Sequence, residues 1–255
     1  MAQAEVRILE DAESLSRAAA EFVARIAESA VRSAGRFSIC LSGGGTPKRL
    51  YELLAASPFA ESFPWQRSLI FWGDERFVPP GHPESNYGMT RAAMLDRVPL
   101  PAENVFPVPT VGVRSVEEAA RHYARTLAEV FADIGPGKPS GRSEFPGFDL
   151  VLLGIGVDGH TASLFPGSPA LEEKSGWTSA VRAPRGYDIT ERVTLTLPVI
   201  NSSACVVFLA SGSGKREVVN SVIHHRPEAA VRYPAARVDP AAGELHWFLD
   251  AEAAS

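Results

Sequence analysis

Polar and apolar positions along this chain follow two periods, and the switches between them mark out its elements. Val6 to Leu9 reads as a short strand. From Asp11 the spacing changes: Leu15, Ala19, Phe22, Val23, Ile26 and Ala30 form the stripe of an amphipathic helix, which Gly35 closes. Phe37 to Leu41, Ser68 to Trp72, Phe148 to Leu153 and Ala204 to Ala210 are short and almost wholly apolar. Such runs suit strands buried on both faces of a parallel sheet. Trp177 to Val181, Arg192 to Leu197 and Glu244 to Leu249 read as further strands. Helices are predicted from Thr46 to about Ala56, from Ser85 to about Leu95, from Ser115 to about Ile134, and after Gly214. In the third of these, Tyr123, Leu127, Val130 and Phe131 share a core face; in the last, Val218, Val219, Val222 and Ile223 do. Strands alternating with helices predict a doubly wound α/β sheet, mostly parallel and flanked by helices. Gly135 to Gly147, rich in Gly, Pro and Ser, fits an interdomain linker or a long surface loop.

Composition narrows the class. With 255 residues, 45% of them hydrophobic, the chain can bury a large core in one domain or two. A net charge of −5 argues against nucleic acid as a partner but leaves room for a local anion site. The two cysteines, Cys40 and Cys205, sit beside apolar runs, as buried thiols do, rather than in a disulfide framework. The first residues lack a basic region followed by an apolar core, and no run approaches membrane-spanning length. A soluble, cytoplasmic protein is therefore expected.

Candidate chemistry gathers just past the carboxyl ends of the apolar runs, where ligands bind in open α/β sheets. After Leu153 come Gly154, Gly156 and Gly159, with Asp158 and His160 two apart. In an extended segment such a pair projects to one side, placing a carboxylate beside an imidazole. The glycine spacing matches a dinucleotide fingerprint, but Pro166 and Pro169 interrupt the helix that fingerprint needs, and the next strand carries no terminal acid. His160 is better read as a general base than as an ordinary loop histidine, because the carboxylate and the buried strand hold it in place. After Leu41, Ser42-Gly43-Gly44-Gly45-Thr46-Pro47 leads from strand to helix with Thr46 as the expected N-cap. That geometry suits an anion. Lys48 and Arg49 then occupy a first turn where the dipole disfavours cations by ~0.3–1 kcal/mol each, a penalty that a bound phosphate would reverse. After Trp72 come Asp74 and Arg76, readable as site residues or as a structural ion pair. After Ala210, Ser211-Gly212-Ser213-Gly214-Lys215-Arg216 resembles the end of a Walker A loop but has Leu209 and Arg216 where Gly and Ser or Thr are required. It remains a second glycine-rich helix start carrying cations. The six histidines show no i, i+4 pair and no ligand-spaced Cys/His cluster.

Taken together, these motifs resemble the 6-phosphogluconolactonases. The resemblance runs from Ile39 to about Phe248 and rests on Ser42 to Pro47, Trp72 to Arg76, Ser85-Asn86-Tyr87, Gly154 to Pro166, Arg192 to Pro198, and Lys215 after its glycines. It implies a Rossmann-like fold in a single domain spanning residues 1–255, akin to the sugar-phosphate isomerases and deaminases. It also implies hydrolysis of 6-phospho-D-glucono-1,5-lactone without metal or organic cofactor. The implied roles are His160 as base, Asp158 orienting it or binding sugar hydroxyls, and Arg76 at the oxyanion or the substrate. Asp74 would hold Arg76, and Ser42, Gly43, Gly44, Gly45 and Thr46 would receive the phosphate with Lys215 and Arg192. The nearest rival, glucosamine-6-phosphate deaminase, places a ring-opening glutamate after the histidine, whereas here no acid appears before Glu172. A non-catalytic sugar-phosphate sensor would carry a basic DNA-binding segment, which is not visible. The expected partner is a small-molecule sugar-phosphate lactone, with no nucleic acid and no membrane, acting on a monomer or small homo-oligomer.

Overall fold

The apolar runs become the centre of a six-stranded sheet. The computed structural model describes residues 4–133, 145–240 and 242–255. Its strands are β1 (Ala4–Leu9), β2 (Phe37–Leu41), β3 (Ser68–Trp72), β4 (Asp74–Arg76), β5 (Leu150–Gly154), β6 (Thr178–Arg182), β7 (Glu191–Leu195), β8 (Cys205–Ala210) and β9 (Glu244–Asp250). The helices are α1 (Ala12–Ala34), α2 (Gly45–Leu54), α3 (Phe59–Ser62), α4 (Asn86–Ala93), α5 (Val116–Asp133), α6 (Leu197–Asn201), α7 (Arg216–His224), α8 (Arg226–Arg232) and α9 (Ala251–Ala254). The main sheet runs β1-β9-β8-β5-β2-β3, with every neighbouring pair parallel. β2 and β8 are buried at every position, and β5 at all but its last, as uniformly apolar strands in a covered sheet should be.

Chain order across the sheet decides where a ligand can sit. From β2 the chain moves outward to β3, then returns to place β5 on the other side of β2 and continues outward through β8 and β9. The order thus reverses between β2 and β5, and the loops leaving those strands diverge to open a crevice at their carboxyl ends. Helix α1, capped by Asp11 and closed by Gly35 at φ 76°, begins and ends where its sequence signals place it. α5 lies on the sheet through Phe131, 5.7 Å from Phe71, and through Tyr123, whose hydroxyl bonds the backbone of Trp72. Among the described residues, no helix is long and apolar enough to cross a membrane.

Two sequence-based expectations need correction. The strands read at Trp177 to Val181 and Arg192 to Leu197 do not extend the main sheet. They form a separate antiparallel sheet, β4-β7-β6, whose third member is the charged Asp74-Glu75-Arg76. Thr46 is not an N-cap: α2 starts at Gly45, capped by Gly44 at φ 104°. Pro47 still falls in the first turn, where its missing N–H costs nothing. The Gly135 to Gly147 connection and the expected helix end at Ile134 lie mostly outside the described residues.

Candidate active site

The loop after β5 folds back on itself. Gly156 N–H donates to His160 O and Gly159 N–H to Gly156 O, both at 2.9 Å, while Thr161 Oγ1 donates to Gly154 O. Gly159 holds φ +77°, and a Cβ there would lie 2.4 Å from the Tyr233 ring. A Cβ at Gly156 would lie 2.1 Å from His160 Nδ1 and 2.6 Å from Asp158 Oδ1. Both positions therefore require glycine. This turn, rather than an extended segment, brings the pair together: His160 Nδ1 and Asp158 Oδ1 are 2.5 Å apart. Burial works against the Asp158 charge, but the hydrogen bond and charge of His160 outweigh it and hold the carboxyl below its ordinary value. An ionised carboxylate can only accept, so Nδ1 carries the proton, and in the neutral ring Nε2 is the nitrogen with the lone pair. The His160 ring rests on Phe165, with centroids 4.8 Å apart.

On the other side of the crevice, Ser42 to Thr46 joins β2 to α2. The Tyr51 hydroxyl accepts from Ser42 N–H at 3.0 Å and donates to Ser42 O at 2.7 Å, so the loop is fixed from below. Gly44 and Gly45 are exposed. The first N–H groups of α2 have no intrahelical acceptor, and with the dipole they favour an anion. Lys215 ends the short helical turn Ser213–Lys215 that follows β8. Burial lowers its pKa, partly opposed by Asp250, and the ammonium has no hydrogen-bond or ion-pair partner among the described residues.

These elements enclose a cavity of about 320 Å³. Ser42, Gly43, Gly44, Gly45, Thr46, Asp74, Arg76, His160, Arg192 and Lys215 all line it, and Asp158 stands behind His160. Three cations thus face a space whose wall carries one carboxylate, Asp74. Arg192 is only 5% exposed, bonds Ile189 O through Nε, and lies over the rings of Tyr187 and Phe165. Burial lowers its pKa, and the nearby Asp74 works in the opposite sense.

Some expected contacts do not form. Asp74 does not hold Arg76; its carboxylate accepts from Ser163 Oγ at 2.6 Å and Asn86 Nδ2 at 3.4 Å. Arg76 turns instead to Glu84, donating to its carbonyl at 2.7 Å and its carboxylate at 3.4 Å, while the buried Nε has no partner among the described residues. The first-turn cations of α2 stay out of the cavity. Arg49 grips Glu13 of α1 at 2.7 and 2.9 Å, and Lys48 is exposed beyond the cavity wall. Arg216 likewise turns away to the Glu252 carbonyl. Two further residues belong to the site although the sequence assigned neither a role in it. Asn86 lines the cavity from the α4 N-terminus, and Tyr187 brings its hydroxyl to 3.3 Å from His160 Nδ1. Asn86 lies within the motif Ser85-Asn86-Tyr87, whereas Tyr187 sits in a loop without pattern.

The model of the family described as glucosamine-6-phosphate isomerases/6-phosphogluconolactonase matches residues 10–247. The chain belongs to that family. It is 41% identical to 6-phosphogluconolactonase of a Nostoc species over 249 residues, covering 97% of this chain and 96% of that one. Its fold superposes on 6-phosphogluconolactonase from Trypanosoma cruzi with a TM-score of 0.85 at 33% identity, over 99% of this chain and 96% of that one. A monomeric glucosamine-6-phosphate deaminase aligns with a TM-score of 0.78 at 20% identity, over 98% of each chain, a likeness of fold.

Proposed function

We propose that this chain hydrolyses 6-phospho-D-glucono-1,5-lactone to 6-phosphogluconate, the second step of the oxidative pentose phosphate pathway, with His160 as the base. The supporting observation is the Asp158–His160 pair at 2.5 Å on the wall of a cavity that also presents Arg76, Arg192 and Lys215. Asp158 fixes the tautomer by accepting from Nδ1, so Nε2 takes a proton from water as the water oxygen attacks the lactone carbonyl carbon. The carbonyl oxygen becomes an oxyanion, and Arg76, with its unpartnered Nε, or Arg192 supplies the facing positive charge. As the carbon–ring oxygen bond breaks, the imidazolium returns its proton to that oxygen. One water is consumed; one carboxyl and one hydroxyl appear. The C6 phosphate sits between the Ser42–Thr46 loop and Lys215. Among the described residues, the cluster of His, Cys and carboxylates with metal-ligand geometry is Cys205, Glu244 and His246, away from this cavity.

The deaminase reading requires an acid that opens the sugar ring. Glu172 is exposed and paired with Arg237 at 2.9 Å, so it is not available for that task. Two buried free thiols, Cys40 and Cys205, suit the reducing cytoplasm, where we place the reaction. Freshly prepared 6-phosphogluconolactone should give 6-phosphogluconate well above the spontaneous rate, with no ammonia released from glucosamine 6-phosphate. Ammonia production at a rate comparable to lactone hydrolysis would place the chain with the deaminases instead.

A further inference from the structure

At the opposite edge of the main sheet, parallel register assembles a second cluster. Cys205 opens β8 and Glu244 opens β9, and the two are paired across the ladder. His246 follows Glu244 on the same face, and Glu5 of β1 is its partner on the other side. One ligand atom each from Cys205, Glu244 and His246 falls within 4.8 Å of the other two. Strands rise ~3.3 Å per residue, so the six-residue β8 separates this cluster from the cavity edge by ~17 Å.

The histidine there is poorly served by protein partners alone. His246 is only 5% exposed. Its Nε2 is 2.9 Å from a Glu244 oxygen and its Nδ1 3.4 Å from a Glu5 oxygen, yet Nδ1 is buried without a hydrogen-bond partner among the described residues. A neutral imidazole has one N–H, so whichever nitrogen holds it, the other turns a lone pair toward a carboxylate. A proton or a metal ion relieves that conflict. Cys205 separates the two: a proton on the ring has no need of a thiol beside it, whereas a soft metal does.

We propose that Cys205, Glu244 and His246 bind a zinc ion, remote from the catalytic cavity, that ties β8 to β9. Thiolate, carboxylate and imidazole are the ligand types zinc takes, at ~2.0–2.3 Å, and the 4.8 Å limit on the present spacing leaves room for small side-chain shifts to bring all three onto one ion. Binding through Nε2 leaves Nδ1–H to the Glu5 carboxylate, which Arg7 already holds at 2.6 Å, the carboxylate–histidine–metal arrangement of many zinc sites. The thiol proton goes to solvent, and thiolate plus carboxylate balance the two positive charges. The exposed Glu244 leaves a solvent path for entry and for a fourth, water ligand.

The test is a titration of the metal-stripped protein with Co²⁺, followed by displacement with Zn²⁺. One equivalent of Co²⁺ should produce a thiolate-to-cobalt charge-transfer band in the near ultraviolet, which Zn²⁺ abolishes. Cys205→Ser should lose the band, and Glu244→Gln, a change at an exposed side chain, should weaken Zn²⁺ by at least ~10-fold. Both variants should keep wild-type lactone turnover, and His160→Ala should keep the band. Absence of a band, its persistence in Cys205→Ser, or its loss in His160→Ala would overturn the assignment.

Discussion

Lys215 offers the sharpest separation of binding from chemistry. Its ammonium is half-buried, its pKa is lowered by that burial, and Asp250 only partly compensates. Asp250 is itself occupied, accepting from Ser211 Oγ at 2.5 Å and from the N–H groups of Gly212 and Ala253. The free protein therefore carries a desolvated cation, and under the proposed function its partner is the substrate phosphate. A hydrogen bond to a charged group contributes roughly 1.5–3 kcal/mol, so Lys215→Ala should lower kcat/KM for the phosphorylated lactone by ~10–150-fold. The slow hydrolysis of unphosphorylated gluconolactone should hardly change, because that substrate never used the ammonium. Initial rates for both substrates with both proteins give the ratio directly. Equal slowing of the two, or no slowing of either, would show that the phosphate lies elsewhere.

Further outcomes follow from the same geometry. Gly159 and Gly35 share a φ near +76°, but a Cβ at Gly35 meets nothing within 4 Å, whereas one at Gly159 runs into Tyr233. Gly35→Ala should therefore lose only the ~1–2 kcal/mol of a left-handed residue, and Gly159→Ala a further ~1–3 kcal/mol of overpacking, as denaturant unfolding would show; equal losses would contradict this. The Asp158 pKa is held below its ordinary value in the fold, so its charge stabilises above the unfolded value of ~3.9 and that stabilisation fades as pH falls through the folded one. The melting-temperature gap between wild type and Asp158→Asn should thus be constant near neutrality and shrink below pH ~4; a gap that widens on acidification would reverse the sign. Exhaustive chelation should leave lactone turnover intact, and loss of activity restored by zinc would put a metal into the reaction.

What was legible in the chain was local. Phe148 to Leu153 announces a doubly buried strand because nearly every side chain in it is apolar, and β5 is that strand. Gly154 to His160 announces a tight loop with a carboxylate and an imidazole, although the pairing comes from Gly156 and Gly159 rather than from strand alternation. What was not legible was distant in sequence. Asp74-Glu75-Arg76 has no apolar alternation, and it is a strand only because Arg192, Val193 and Thr194 pair with it. Arg49 shows nothing of its attachment to Glu13, 36 residues earlier. Tyr187 reaches His160 across 27 residues through a loop without pattern. Cys205, Glu244 and His246 meet because β8 and β9 are neighbours in the sheet, a fact no spacing rule contains.

His160→Ala bears most directly on the proposed reaction. The side chain rests on Phe165 and is 19% exposed, so its removal should leave the circular dichroism spectrum and thermal midpoint close to wild type. Turnover of 6-phosphogluconolactone, measured against the spontaneous rate in the same buffer, should fall by ~10²–10⁴-fold, the usual contribution of a positioned general base. A folded His160→Ala protein that hydrolyses the lactone at close to the wild-type rate would contradict the assignment of His160 as the base.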